Sequence, residues 1–210
     1  MALDLSDLTQ HVDPARLRLA RAVWALLDVG AGPDADHADP AALDAAAAAV
    51  EEAVARVSAA TGREPGEPRA PRAPLSRYAE VLPHSSLVGT VSAIAPDATW
   101  TFADGVLEVH ATFGLLCEGP PGSVHGGFVA LAFDDALGMT NVLSGLGGFT
   151  GRLTVRYRAR TPLHEELVLR AWVDRHEGRR TVTRGELHHG DTLCAEAEGL
   201  FVRTSFTHDT

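Results

Sequence analysis

Cysteine is scarce in this chain. Cys117 and Cys194 are its only two in 210 residues, too few for the disulfide framework that staples small secreted domains, so both read as free buried thiols. Basic charge is short as well. The 18 basic residues stand against 28 acids, a formal net charge of −10, whereas a general nucleic-acid binder needs a concentrated basic surface to neutralise phosphate. That class is set aside, and any anionic ligand has to be met by a local patch. Long apolar runs are missing too: no stretch approaches the roughly 20 residues that span a bilayer. The opening stretch MALDLSDLTQHVDPARLRLARAVW sets acids before its apolar positions and has no basic start, apolar run or small-residue cleavage site, so no secretory signal is expected. Together these readings point to a cytoplasmic protein without a membrane span.

What is present is an ordinary globular balance. Hydrophobic residues make up 45% and charged residues 22%, close to the average for folded soluble proteins. The length suits one sizeable domain with an extension. Asp13-Pro14 followed by Ala15 to Val29 reads as a helix with Asp13 as N-cap and Gly30 just past its end; Leu17, Trp24 and Leu27 could share an apolar stripe. After the turn-rich GAGPDADHADP, a second helix is expected from near Ala41 to before Gly62. Its alanines give strong helix propensity, and the periodic Val50, Val54 and Val57 predict a packed amphipathic face. Residues 63 to 76, REPGEPRAPRAPLS, concentrate proline and read as a linker. The predicted division is therefore 1–76, a helical extension with its linker, and 77–206, the main domain.

Beyond the linker the pattern turns to short β-like runs. Ser86 to Ile94, Ala98 to Phe102 and Val106 to Phe113 carry branched, aromatic or alternating residues, and Asp104-Gly105 supplies a turn. The break CEGPPGSVHGG precedes FVALAFDDALGMTNVL, which is apolar nearly all round and predicts a buried helix. Leu153 to Arg160, Glu166 to Arg175, Arg180 to His188 and Thr192 to Arg203 then follow as strands joined by short turns. Such a meander implies an antiparallel sheet, and one buried helix among these strands implies an α+β fold with the sheet wrapped around it.

The informative stretch is Gly122 to Arg160. His125-Gly126-Gly127 stands at the entry to the central helix, where absent side chains let a ligand approach the backbone. The first turn there has unpaired N–H groups and a partial positive charge. That is what an oxyanion hole requires. Asp134 falls on the same helix face as Gly127, Ala130, Gly138 and Asn141. A carboxylate among small residues on an apolar helix needs a pocket or a partner, because burying an unpaired charge is costly. Asp135, its neighbour, would point about 100° away around the helix.

Residues 118 to 204 resemble the PaaI-type hotdog-fold acyl-CoA thioesterases, most closely the thioesterase superfamily member 4 branch. The features shared are the EGPPG run at 118 to 122, the HGG triplet, an Asp nine positions after its His, Gly138, Thr150, and a strand leading into Thr161-Pro162-Leu163. The resemblance covers about 40% of the chain directly. It implies a hotdog fold, an acyl-CoA substrate with no cofactor beyond the coenzyme A of that substrate, and a homodimer or homotetramer with active sites at subunit interfaces. It makes the Gly126 N–H the oxyanion donor, Asp134 the general base or nucleophile, Thr150 the hydroxyl that places water from the neighbouring subunit, and His125 mainly an orienting residue. Gly127, Phe128 and Leu131 would line the substrate path, with Phe133 and Leu146 beside them. The sequence departs from relatives with Asn or Gln shortly before HGG by carrying Gly119 and Pro120, and it has Arg152 where the nearest branch is neutral.

Phosphates of coenzyme A need cations. Arg156, Arg158 and Arg160 alternate along one strand and share a face, while Arg179 and Arg180 sit at a hairpin. Arg179 and Arg180 resemble a family position where basic residues meet the nucleotide and are preferred. No metal is expected: His110, His164, His176, His188 and His189 show no ligand spacing. SGLGGFTG reads as a turn rather than a dinucleotide fingerprint. Two other functions stay open at this point, a hotdog dehydratase or hydratase using His125 and an acid, and a non-catalytic acyl-CoA-binding regulator.

Overall fold

The computed structural model describes residues 3–4, 13–30, 37–65, 85–89, 92 and 94–203. Most of the expected linker, and the last residues of the predicted 77–206 domain, lie outside these. Among the described residues seven strands form one sheet: β1 (Leu3–Asp4), β2 (Asp97–Ala103), β3 (Val106–Thr112), β4 (Phe149–Tyr157), β5 (Glu166–Glu177), β6 (Arg180–His189) and β7 (Thr192–Val202), with the α-helices α1 (Pro14–Gly30), α2 (Pro40–Thr61) and α3 (Gly126–Leu143). The spatial order is β1-β2-β3-β5-β6-β7-β4, and every pairing is antiparallel. Hairpins explain the β2-β3 and β5-β6-β7 parts of that order. Asp104 and Gly105 both take positive φ, 52° and 80°, the geometry of the two-residue turns that match strand twist. The exception is made by α3: it carries the chain from β3 to the far edge, where β4 pairs with β7, and β5 then returns beside β3.

The sheet curls around α3, which packs against β3, β4, β5, β6 and β7. Inward positions follow the two-residue period: Leu107, Val109 and Ala111 on β3, Leu167, Leu169 and Ala171 on β5, and Ala195, Ala197 and Phe201 on β7 are all buried. Phe133, Ala136 and Leu137 of α3 are fully enclosed at 0% exposure. Two glycines allow the close approach. A Cβ on Gly185 would lie 3.2 Å from Leu137 and 3.3 Å from Phe133, and one on Gly199 would lie 3.1 Å from Leu137 and 2.6 Å from the Phe201 ring. The architecture is the expected α+β hotdog arrangement of a sheet around a central helix.

The outer face of the sheet is a lattice of ion pairs, among them Arg170 with Glu108 at 2.6 Å and Arg184 with Glu198 at 3.1 Å. Glu108 lies below the usual carboxylate range because it accepts hydrogen bonds from His110 first and Arg170 second, which outweigh the opposing pull of its burial. His110 is correspondingly held above the usual imidazole value, chiefly by Glu108.

Three expectations need correction. The β-like run Ser86 to Ile94 contains no strand among its described residues; Ser86 to Val88 form a turn instead. Leu27 does not join Leu17 and Trp24 in a buried stripe: Leu17 and Trp24 are half-buried on α1, which lies against the Leu115–Cys117 turn, but Leu27 is 38% exposed. Nor is α2 packed. Asp39 caps it by accepting from the Ala41 N–H at 3.2 Å, and Gly62 ends it in the left-handed region, but none of its residues is buried. Local propensity and caps are enough to write a helix; they do not supply a surface to cover it.

Candidate active site

The site begins at a loop that is fixed from several sides. Cys117 O accepts the His125 N–H at 2.8 Å, and Val124 N–H donates to Thr161 O at 2.9 Å. Arg160 donates through Nε to Ser123 Oγ and through Nη2 to Pro121 O, both at 2.6 Å. Gly119 passes so close beneath His125 that a Cβ there would lie 2.7 Å from the His125 Cα. This accounts for the missing Asn or Gln: at Gly119 the loop has no room for any side chain.

His125 is the N-cap of α3, in extended backbone, and its Nδ1 accepts the Gly127 N–H at 2.9 Å. A neutral ring accepting at Nδ1 carries its proton on Nε2. Phe128 and Val129 N–H groups both reach the His125 carbonyl. Among the described residues the Gly126 N–H alone in this first turn meets no acceptor. It is half-buried and stands at the positive end of an 18-residue helix. His125 thus caps the helix through its ring, and Gly127 is occupied as a donor.

Two turns on, Asp134 and Asp135 part company. Asp135 Oδ2 accepts from Ser85 Oγ at 2.9 Å, Ser86 Oγ at 2.8 Å and the Leu87 N–H at 3.0 Å, and so ties down the turn that buries Leu87 and Val88. Asp134 is half-buried and its Oδ1 accepts a single hydrogen bond, from Thr150 Oγ1 at 2.9 Å. Thr150 was expected from a neighbouring subunit; here it belongs to the same chain, because β4 follows α3 and runs back along it. Phe128, Leu131 and Leu146 are half-buried, whereas Phe133 points into the core and lines no path.

The arginines divide equally clearly. Arg156 and Arg158 both pair with Glu196, and Arg160 holds the loop. Arg179 donates through Nε to the Arg203 carbonyl at 2.9 Å, and Arg203 in turn reaches the Leu146 carbonyl at 3.0 Å in the turn before Thr150. Arg180 beside it is exposed. A cavity of about 520 Å³ opens elsewhere, on the outer sheet face among Arg156, Trp172, Arg184, Glu186, Glu196 and Glu198; Arg156 pairs there with Glu196 and Arg184 with Glu198. Among the described residues no three His, Cys, Asp or Glu side chains gather as a metal site.

One residue escaped the sequence reading. Tyr157 donates its hydroxyl to the Gly126 carbonyl at 2.7 Å. A signal for it existed: if Arg156 and Arg158 share the outer face of β4, the intervening Tyr157 must turn toward the helix.

With this geometry in hand, comparison with known proteins is direct. The signature of the Thioesterase superfamily matches residues 121–196. Acyl-coenzyme A thioesterase THEM4 of Xenopus laevis is 35% identical over 92 residues, covering 43% of this chain and 41% of that protein. Acyl-coenzyme A thioesterase THEM5 of Homo sapiens is 29% identical over 99 residues, covering 46% and 40%. The chain thus spans less than half the length of the curated relatives it matches. A crystal structure of a thioesterase superfamily protein superposes with a TM-score of 0.76 at 28% identity, covering 91% of this chain and 92% of the other. Residues 121–196 thus carry the match to the Thioesterase superfamily, and the sheet and helix they help to build share the hotdog fold of that solved structure.

Proposed function

We propose that this protein is an acyl-CoA thioesterase in which Asp134 is the general base and the Gly126 N–H the oxyanion donor. The observation that carries the reading is a half-buried carboxylate bonded to one hydroxyl, on the same helix whose first N–H is free. Thr150 donates a hydrogen bond to the Asp134 carboxylate and keeps lone pairs to hold a water. Asp134 removes a proton from that water as its oxygen attacks the thioester carbonyl carbon. The carbonyl electrons move to oxygen, where the Gly126 N–H and the helix terminus stabilise them; loss of such a donor typically costs about 2.7 to 4 kcal/mol. Collapse breaks the carbon–sulfur bond and releases the coenzyme A thiolate, a good leaving group that then takes up a proton.

Eight residues separate Gly126 from Asp134, roughly 12 Å of helix axis at 1.5 Å per residue. That span is too long for both groups to serve one carbonyl. The reading therefore needs two copies of the chain, Gly126 from one facing Asp134 and Thr150 of the other, as a homodimer or homotetramer. Gly127, Phe128 and Leu131 would border the acyl group. Arg179 and Arg180 would meet the phosphates; all 18 basic residues are arginine, whose planar fork suits phosphate oxygens. The division into a 1–76 extension and a 77–206 catalytic domain belongs to the same proposal, as does a cytoplasmic setting, which suits two free buried cysteines. No described helix is long and apolar enough to cross a membrane.

Thiol release from a panel of acyl-CoAs tests the reading. Asp134→Asn should lower kcat about 100-fold or more, the range of a lost general base, while leaving the fold intact. Unchanged thiol release in that variant would sink the assignment. Mixing Asp134→Asn with Gly126→Pro by co-expression tests the shared site: proline at the first helical position removes the N–H without breaking the helix, and mixed oligomers should recover activity that neither variant has alone.

A further inference from the structure

The peptide joining Gly126 to Gly127 is gripped at both ends. Its carbonyl accepts from Tyr157 Oη at 2.7 Å, and its N–H donates to His125 Nδ1 at 2.9 Å. Two successive glycines at a helix start leave the backbone freer than any other pair would, so this grip is what fixes the direction of the neighbouring Gly126 N–H. Glycine and tyrosine also need each other here. A Cβ on Gly126 would lie 3.2 Å from Tyr157 Oη and 3.3 Å from its ring, tighter than ordinary van der Waals contact, so a side chain at 126 would push the hydroxyl off the carbonyl.

Packing does not explain this tyrosine. Tyr157 is 54% exposed on the edge strand β4, so its ring contributes little to the core, and a single partly solvated hydrogen bond adds only about 1 kcal/mol to stability. The stretch from Thr150 to Arg160 shows the same orientation toward the site. Three residues on, Arg160 holds Ser123 and Pro121 of the loop, and at the strand's other end Thr150 holds Asp134. One edge strand thus touches the proposed donor loop and the proposed base.

We propose that Tyr157 is a positioning residue: its hydroxyl locks the Gly126–Gly127 peptide so that the Gly126 N–H is aimed before substrate arrives. The inference rests on the reading of Gly126 as oxyanion donor. Preorganised donors stabilise developing charge because no reorganisation is needed at the moment of reaction; a donor free to swing loses part of that advantage.

Tyr157→Phe keeps the ring and removes the hydroxyl. The expected result is a kcat about 10-fold lower, an effect well short of losing the donor outright, with KM changed less than about 2-fold and faster hydrogen exchange at the Gly127 amide. A Tyr157→Phe enzyme with wild-type kcat overturns the proposal, as does a lowered kcat with no faster exchange at the Gly127 amide, which would mark Tyr157 as a general support. If Gly126→Pro itself is as active as wild type, the oxyanion reading fails and takes this proposal with it. That outcome is distinct from a slow Gly126→Pro beside a fully active Tyr157→Phe, in which only the role of Tyr157 fails.

Discussion

Two helices of similar length have opposite fates in this molecule. The 18-residue α3 buries Val129, Ala132, Phe133, Ala136, Leu137 and Met139 inside a curled sheet, while the 22-residue α2 buries nothing. Their own turns are equally well formed, since both have a side-chain N-cap. What separates them is the shape of the surface offered to each. The sheet meets α3 with Gly185 and Gly199, where any side chain would strike Leu137; the valine stripe of α2, Val50, Val54 and Val57, stays 39%, 43% and 40% exposed. Helix formation is thus a local matter and burial a shared one.

The comparison breaks most readily at Phe133. Truncation to alanine should destabilise the protein by about 3 to 5 kcal/mol, the range for a fully enclosed aromatic, seen as a lower denaturant midpoint with an unchanged slope. A cost below about 1 kcal/mol would mean that α3 is no better packed than α2. Next comes Gly199→Ala. The new Cβ would sit 2.6 Å from the Phe201 ring, and the forced shift should cost about 1 to 3 kcal/mol; a neutral result would show that the helix-to-sheet fit has slack.

Within α3 the adjacent acids sharpen the contrast further. Asp135→Asn weakens an oxygen that accepts three hydrogen bonds from the 85–87 turn, and should cost about 1 to 2 kcal/mol of stability while thiol release by the folded fraction stays close to wild type. Asp134→Asn should do the reverse. If both variants lose stability and keep activity, the division of labour between them is wrong.

Much of this was legible in the residues. The apolar circumference of α3, the period-two runs of β3 and β5 to β7, and the HGG-to-Asp134 spacing each depend on neighbours close in sequence. What was not legible depends on distant parts. Asp135 finds Ser85 and Ser86 some 50 positions away, so the run from Ser86 looked like a strand although it is a turn pinned to a helix. Thr150 was placed on another subunit because motif order does not say that β4 doubles back along α3. Tyr157 stands between Arg156 and Arg158, whose charges mark the outer face of β4, and only the packing of the strand on α3 shows what its inner face meets. The valine stripe of α2 shows the converse: the period is real, but a period says which residues share a face and not what that face meets.

The smallest effect is expected on α2 itself. Val54 is 43% exposed, so Val54→Ala gives up little buried area, and alanine is the better helix former by a few tenths of a kcal/mol. The two terms oppose each other, and the net change should stay within about 0.5 kcal/mol, the usual range for surface positions. Chemical denaturation at low and high protein concentration reads both size and origin. A loss above about 1 kcal/mol would match a valine taken out of water and would make α2 a covered helix like α3. If that loss grew with concentration, the cover would be a second copy of the chain, since only an intermolecular contact follows mass action.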